Sequence, residues 1–494
     1  MLVDNTVDGD SRVQKAAQSA AAAGWDVVLL GKALDGREHT WLIGKARVRL
    51  LAVPQPLARR RHEFRRKLRA PLAYPPTGIA AVRHQAIRAW KADLALRRTQ
   101  LDQTPKTGTH TVRLAWLSVQ SLAAKMTGKW VGFRYRQLNW SLRSRTRLSE
   151  PWDRAYTAFW IKMMGVRSWR KLEPSLWDLE LAYGPVIDKL RPDVIHSHDV
   201  RMLGVGARAA QRARAKGRPV KLLWDVHEYV PGVKPWKDNL RWLPAHIAYE
   251  REYAPFADAV VTVSPALAEM LQLDHCLAER PAVVLNAPAV DLGQPVTESK
   301  RIRLLCGLDR DVPLLVYSGA AAPQRGLGIM IEALPNLPAA HVALVVNTPG
   351  SDYVRSLVTR AEALGCGDRV HLLPYVPHEE VVDLLAGADV GVIPIHHHPN
   401  HEIALITKFF EYSHARLPLV VSDVRTMAHT VGETGQGEVF RAEDVGDYIR
   451  AVSAVLAAAD RYRAAYDEPG LLAGWTWDRQ AEILDTIYTR LTTA

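Results

Sequence analysis

The feature that most limits how this chain can fold is a repeated rhythm: short apolar runs alternating with stretches of helical period, in two successive series. Strands of a parallel sheet are covered on both faces, so they read as continuous apolar runs rather than alternating ones. The first series holds Asp193-Val194-Ile195-His196, Lys221-Leu222-Leu223-Trp224-Asp225 and Ala259-Val260-Val261-Thr262-Val263-Ser264. The last of these runs into a helix opening at Pro265, a favoured first-turn residue. The second series holds strands at Leu314 to Tyr317, Val342 to Val346, Val370 to Leu372, Val390 to Ile393 and Leu419 to Val421. Between the two lies a linker, about Ala287 to Lys300, rich in Pro, Gly and polar residues.

The chain start belongs to the same pattern. Leu2 to Gly31 reads as strand, loop, helix, strand. The loop is Asn5 to Ser11, and the helix runs from Arg12 through an alanine-rich stretch to Ala23, stopped by Gly24. Trp25 to Gly31 is then a short buried strand. The strand before the loop is short, which leaves open whether Met1 is the true start. The expected fold is α/β, with two Rossmann-like domains facing a cleft. An N-terminal domain covers 1–290, a C-terminal domain covers 291–475, and a last amphipathic helix, 476–494, crosses back to the first. Ligands of such sheets bind outside the carboxyl ends of the strands.

Composition sets the outer limits. With 494 residues, 48% of them hydrophobic, the chain can bury large cores and is too long for one ordinary domain. No apolar run reaches the roughly 18 residues that span a bilayer. Met1 to Asp10 is polar and acidic, unlike a signal peptide. The cysteines, Cys276, Cys306 and Cys366, lie far apart, which suits a reducing cytosol and argues against disulfides or structural zinc.

The net charge of +12 is unevenly spread. Between about 55 and 180 stand Arg59-Arg60-Arg61, Arg65-Arg66-Lys67, Arg69, Arg97-Arg98, Arg134, Arg136, Arg143, Arg145, Arg147, Arg167, Arg170 and Lys171. Trp90, Trp116, Trp130, Trp140, Trp160 and Trp169 are interleaved with them. This reads as basic helices inserted in the first domain. Solvated helix faces are one explanation. Attachment to an anionic membrane surface is another, because Arg/Lys with Trp is the composition of interfacial helices. No nucleic-acid motif accompanies the charge, so a nucleic-acid partner is not expected.

Five ordered motifs carry a family resemblance: Asp10-Ser11-Arg12-Val13; Pro192-Asp193-Val194-Ile195-His196-Ser197-His198-Asp199; Asp225-Val226-His227-Glu228; Ser318-Gly319 through Arg325-Gly326; and Lys408-Phe409-Phe410-Glu411-Tyr412. Together they resemble the GT-B glycosyltransferases of family 4, over residues 1–50 and 185–490. The resemblance implies a retaining transfer of a sugar from a nucleotide-sugar donor to an acceptor that the sequence does not reveal. No cofactor and no catalytic metal are expected.

The resemblance also implies roles. Glu411 accepts hydrogen bonds from the ribose hydroxyls, with Lys408 one turn earlier on the same helix face. The loop entering that helix, with Ile403, Ala404, Leu405 and Thr407, offers backbone N–H groups to the diphosphate or to sugar hydroxyls. Arg325 and Gly326 hold the pyrophosphate beside Gly319, and a guanidinium there stabilises the charge that develops as the donor breaks. His227 lines the first-domain wall near the transferred sugar, with His198 and Asp199 beside it. Asp10 and Arg12 are candidates for acceptor or phosphate contact; helix capping by Asp10 or Ser11 is the alternative.

The chain departs from the family pattern at three places. The acid expected eight residues before Glu411 is Ile403, with Glu402 one position earlier as its candidate replacement. Ile406 stands where proline is common, and Ala320 where some relatives carry a second arginine. His396-His397-His398 looks like a metal site, but consecutive side chains diverge, so a solvent-facing loop is expected. Two rivals stay open: a nucleotide-sugar epimerase on the same fold, and a degenerate, non-enzymatic protein tethered at membranes.

Overall fold

The computed structural model describes residues 1–55, 57, 70–75, 78–102, 108–149, 151–235, 239–290 and 301–493. Arg59, Arg60, Arg61, Arg65, Arg66, Lys67 and Arg69 lie outside the described residues, as do the side chains of Arg143, Arg145 and Arg147 and linker positions 291–300. The chain divides into two compact units. One comprises Met1–Gln55, Ser175–Lys234 and His246–Ala494; the other comprises Pro56–Pro174 and Pro235–Ala245.

The larger unit holds two sheets. In the first, β1 (Val28–Ala33), β2 (His39–Ile43) and β3 (Ala46–Ala52) lie in the order β1-β3-β2. Strands β4 (Val194–His198), β5 (Lys221–Val226), β6 (Ala259–Thr262) and β7 (Ala282–Val283) lie in chain order and run parallel. The chain start joins the two groups. Leu2 bridges Leu30 on one side and Ser197 on the other. Four backbone hydrogen bonds of 2.8–3.0 Å fix Met1, Leu2 and Val3 between β1 and β4. The expected first strand is therefore only a single bridging residue.

The second sheet contains β8 (Leu314–Ser318), β9 (His341–Val346), β10 (Val370–Pro374), β11 (Val390–Ile393), β12 (Leu419–Ser422) and β13 (Gly437–Phe440). All are parallel, in the order β10-β9-β8-β11-β12-β13. The order reverses between β8 and β11, which opens a crevice at their carboxyl ends. Successive residues serve opposite cores: Leu315, Tyr317, Val342, Leu344, Val390, Val392 and Val420 pack on one face, and Leu314, Val316, Ala343, Val345, Ile393, Leu419 and Val421 on the other. Two covered faces are why these strands are unbroken apolar runs.

The hairpin of β2 and β3 is antiparallel and was not anticipated. Most of β2 is exposed or half-buried, so His39-Thr40-Trp41 carries no apolar run. Helix α1 (Ser11–Ala22) packs Val13, Ala16, Ala17, Ala20 and Ala21 into the first core. The C-terminal helix Trp477–Thr493 adds Trp477, Leu484, Ile487, Tyr488 and Leu491 to that same core.

The smaller unit is helical. Helix α2 (Ile79–Asp102) packs along α3 (Gly108–Arg147), followed by α4 (Pro151–Met164). Ala70, Ala73, Tyr74, Ala80, Val131 and Leu138 form its core. The expected insertion, 55–180, is corrected at its end: helix Leu176–Leu190 belongs to the larger unit, where the Tyr183 hydroxyl donates to the Val3 carbonyl at 2.8 Å. A later segment joins the helices instead. Leu240 N–H donates to Leu148 O at 3.2 Å, and Arg241 pairs with the buried Asp153 at 2.6 Å.

Candidate functional site

One side of the candidate site is built at the β8/β11 crevice. The chain leaves β8 at Gly319 with φ +127°, where a Cβ would lie 3.0 Å from Lys408 Nζ. The glycine therefore lets an ammonium approach the backbone. Gly326, at φ +71°, is held more tightly: a Cβ would sit 1.8 Å from the Pro394 carbonyl oxygen, just beyond β11. The Arg325-Gly326 turn is thus pressed against the loop that follows β11.

Helix Thr407–His414 brings Lys408 and Glu411 to this point, both buried. Lys408 Nζ lies 4.8 Å over the Tyr317 ring, whose hydroxyl donates to Ala320 O at 2.7 Å. Burial lowers the Lys408 pKa, the Arg325 charge lowers it further, and Glu411 opposes. Burial raises the Glu411 carboxyl, against Lys408 and Lys15. Arg325 and Glu411 therefore both act on one ammonium. In front of the helix, the N–H groups of Ala404, Leu405 and Ile406 take no acceptor among the described residues. Such groups suit an anion. Ile403 is buried, leaving only its backbone for that role.

Glu402 is not placed as expected. One carboxylate oxygen meets His397 Nδ1 at 2.6 Å, and the other accepts from Arg425 N at 2.8 Å, where the next helix begins. His397 also meets Asp423 at 3.0 Å. Glu402 thus ties its own loop to helix Arg425–Thr434. Of the histidine triplet, His396 N donates to Gln324 O at 3.1 Å, fastening this loop to the Arg325 turn.

The first-domain wall centres on Asp225, which is 1% exposed. Arg12 grips it with Nε at 3.0 Å and Nη2 at 2.8 Å, and also donates to Val284 O. His198 Nδ1 lies 3.2 Å and His227 Nε2 3.4 Å from the same carboxylate. Burial would raise the Asp225 pKa, but Arg12, His227 and hydrogen bonds from His196 and His198 hold it well below the usual range. For His227, burial lowers the pKa, but Asp199 and Asp225 outweigh it and raise the ring to about 9. His227 Nδ1 faces Asp199 at 3.4 Å. Asp199 itself has φ +61°, a conformation of a kind that clusters at functional sites.

Two expectations need correction here. Arg12 is buried and committed to Asp225, so it does not contact an acceptor. His198 is fully buried beneath the wall, leaving His227 and Asp199 to form its surface. Asp10 caps α1, its carboxylate accepting from Val13 N at 3.3 Å. His196, His198 and Asp225 bring three candidate metal-ligand atoms together, yet both Asp225 oxygens already bind Arg12.

Lys15 was missed altogether. It lies on α1, donates to Asn286 Oδ1 at 3.2 Å and to Ala287 O, and faces Glu411. Burial brings its pKa down to about 7, with Glu411 opposing. Asn286 in turn donates to Thr407 Oγ1 at 2.8 Å, at the start of the Glu411 helix. Across the crevice, Asn400 Oδ1 accepts from Tyr229 N at 2.8 Å, and its amide donates to Tyr229 O at 3.2 Å. Burial and Asp199 raise the Glu228 carboxyl, while His227 and Arg325 oppose. The Arg325 charge is thus felt on both walls.

Comparison with known proteins bears on the family and the fold. The family model described as Glycosyl transferases group 1 matches residues 305–468, and that of Glycosyltransferase Family 4 matches residues 164–291. The chain belongs to glycosyltransferase family 4. D-inositol 3-phosphate glycosyltransferases are among the relatives of this family 4 chain. That of Mycolicibacterium smegmatis is 25% identical over 50% of this chain and 56% of its own length. That of Geodermatophilus obscurus is 27% identical over 50% and 55%. The match therefore spans about half the length of these relatives. Two solved structures share the GT-B fold. Sucrose-phosphate synthase from Thermosynechococcus elongatus has a TM-score of 0.59 at 16% identity, covering 98% of this chain and 93% of that one. HepE from Anabaena, in complex with UDP and glucose, has a TM-score of 0.51 at 18% identity, covering 66% and 84%.

Proposed function

We propose that this family 4 chain is a retaining glycosyltransferase that moves a sugar from a nucleotide-sugar donor to a saccharide, lipid-linked or other small acceptor. The observation that carries the reading is buried Lys408 at the end of β8, beside Gly319 and over the Tyr317 ring, with the charges of Arg325 and Glu411 both acting on it. A buried carboxylate suits a vicinal diol, and the cations suit a diphosphate. The UDP complex of HepE supports the class of donor, and the names of the curated relatives support the transfer of a sugar.

In this reading the ribose hydroxyls donate to Glu411. The diphosphate lies against Arg325, Lys408 and the N–H groups of Ala404 and Leu405. As the glycosidic bond breaks, negative charge gathers on the β-phosphate, where these groups are already oriented, so little reorganisation opposes departure. The acceptor hydroxyl attacks from the face the phosphate leaves and passes its proton to a phosphate oxygen. No catalytic metal enters the scheme, because the cations come from side chains. His227, held charged by Asp199 and Asp225, faces the sugar from the other wall. We place the chain in the cytoplasm, at the inner face of the membrane.

Thermal-shift titration with UDP-, GDP- and ADP-sugars tests the donor site. One donor is expected to raise Tm in a concentration-dependent way. Glu411→Ala and Arg325→Ala are each expected to weaken that donor at least tenfold, about the contribution of one charge-assisted hydrogen bond. Donor affinity that survives both substitutions would sink the proposal. Conversion of the donor alone to an epimer, without acceptor, would point to the epimerase instead.

A further inference from the structure

Helix α3 is unlike the other helices in its charge and in what it leaves uncovered. Over its 40 residues it carries eight arginines and lysines and neither Asp nor Glu. One seam of it is used: Ala124, Val131 and Leu138 are buried on α2 or beside it. A second apolar seam is exposed. Val112, Trp116, Val119, Met126, Trp130 and Phe133 are 71%, 61%, 57%, 62%, 50% and 38% exposed. At about 100° per residue these six fall within a sector about 100° wide, and they run about 32 Å along the axis. The buried seam lies roughly a third of a turn away. On the other flank stand Lys125, Lys129 and Arg136, all exposed and without an ion pair among the described residues.

A stripe this long is more apolar surface than a solvated helix needs. A second copy of the same helix is a poor cover, because it brings the same eight positive charges and no negative one. A bilayer carrying anionic headgroups satisfies both features at once. Tryptophan and aliphatic side chains enter the acyl boundary while the adjacent lysines and arginine meet phosphate. We infer that α3 is a membrane-docking helix that lies in the plane of an anionic lipid surface, with the Val112–Phe133 stripe inserted and the Lys125/Lys129/Arg136 row at headgroup depth. The inference rests on the helix alone and does not depend on the sugar-transfer reading.

Flotation of the full-length protein with phosphatidylglycerol/phosphatidylcholine vesicles tests it, beside vesicles of phosphatidylcholine alone. Binding is expected to the anionic vesicles and to be at least tenfold weaker on the neutral ones, since each basic residue near the surface contributes about fivefold. Trp116→Ser combined with Trp130→Ser is expected to reduce anionic binding about tenfold or more, and Lys125→Gln with Lys129→Gln to remove much of its salt sensitivity. Thermal unfolding of the variants shows that they remain folded, because the replaced side chains are exposed. Tryptophan fluorescence quenched by brominated lipid in the wild type, and lost in the Trp variant, supports insertion. No flotation on anionic vesicles at low salt overturns the inference, as does unchanged flotation of the Trp variant. A dimer that falls apart in the Trp variant without vesicle binding would assign the stripe to a second copy, and salt-sensitive binding of duplex DNA without vesicle binding to nucleic acid.

Discussion

Arg12 spends all three of its guanidinium nitrogens inside the protein, two on Asp225 and one on the Val284 carbonyl. In the sequence it stands in a loop-to-helix motif and invites an external ligand. In the fold it closes a bidentate pair with Asp225, and both are almost wholly buried. Two ions taken from water are tolerated only when each satisfies the other. Asp225 gains a guanidinium and three imidazoles, which is why its pKa is held well below the usual range. Removing one partner leaves the other charge stranded. Arg12→Met is therefore expected to cost about 3–5 kcal/mol in urea unfolding. Adding Asp225→Leu should recover part of that loss, since the second substitution removes the stranded charge. A single-variant cost under about 1 kcal/mol, or strict additivity in the double variant, would mean that the pair does not organise this wall. Lys15 was hidden for the same reason. Its neighbours Asn286 and Glu411 lie far along the chain, so no local pattern announces a cation beside Glu411.

At the scale of elements, the site depends on turns that hold two loops in contact. Gly326 combines a left-handed backbone with a Cβ direction that runs into the Pro394 carbonyl. Gly326→Ala has no flexible neighbour to displace, so the Arg325 turn must separate from the loop after β11. The expected result is a loss of at least about 2 kcal/mol of stability and a weaker donor, read by unfolding and thermal shift together. An unchanged donor response would show that Arg325 needs no support from that contact. The strands of the second sheet were legible because both faces are covered, so each is an unbroken apolar run. The β2/β3 hairpin was not, because an exposed edge leaves no such run. Strand β13 escaped likewise, Gly437, Glu438 and Val439 being only half-buried. The Lys408/Glu411 helix and the Arg325 turn were readable through the family resemblance, because each of its motifs is local in sequence. The attachment of residues 235–245 to the helical unit was not, since the Asp153–Arg241 pair spans 88 positions.

For the whole molecule, the most consequential feature is that the first core is completed by the last helix. Trp477, Leu484, Ile487, Tyr488 and Leu491 are each at most 6% exposed, packed with α1 residues and Val27, Leu29 and Val48. Polar ties fix the register: Trp25 Nε1 donates to Asp485 at 2.7 Å, the Tyr488 hydroxyl lies 2.8 Å from His196 Nδ1, and Trp477 N donates to Pro288 O at 2.8 Å. Burying five such side chains contributes on the order of 10 kcal/mol, comparable to the net stability of a domain. Deleting residues 477–494 should therefore leave the first domain unable to hold its fold, with insoluble expression or rapid proteolysis of the segment containing β1 to β7. The second sheet draws its strands from a contiguous stretch, Leu314 to Phe440, and its two cores use none of these residues, so it should survive the same deletion as a protease-resistant fragment. A milder form keeps the prediction graded: Leu484→Ala should cost about 3 kcal/mol, while Arg490→Ala on the exposed face of the helix should cost under about 0.5 kcal/mol. Equal resistance of both halves to protease after the deletion would mean that the first domain closes its core without the helix, and Leu484 would then tolerate alanine as readily as Arg490 does.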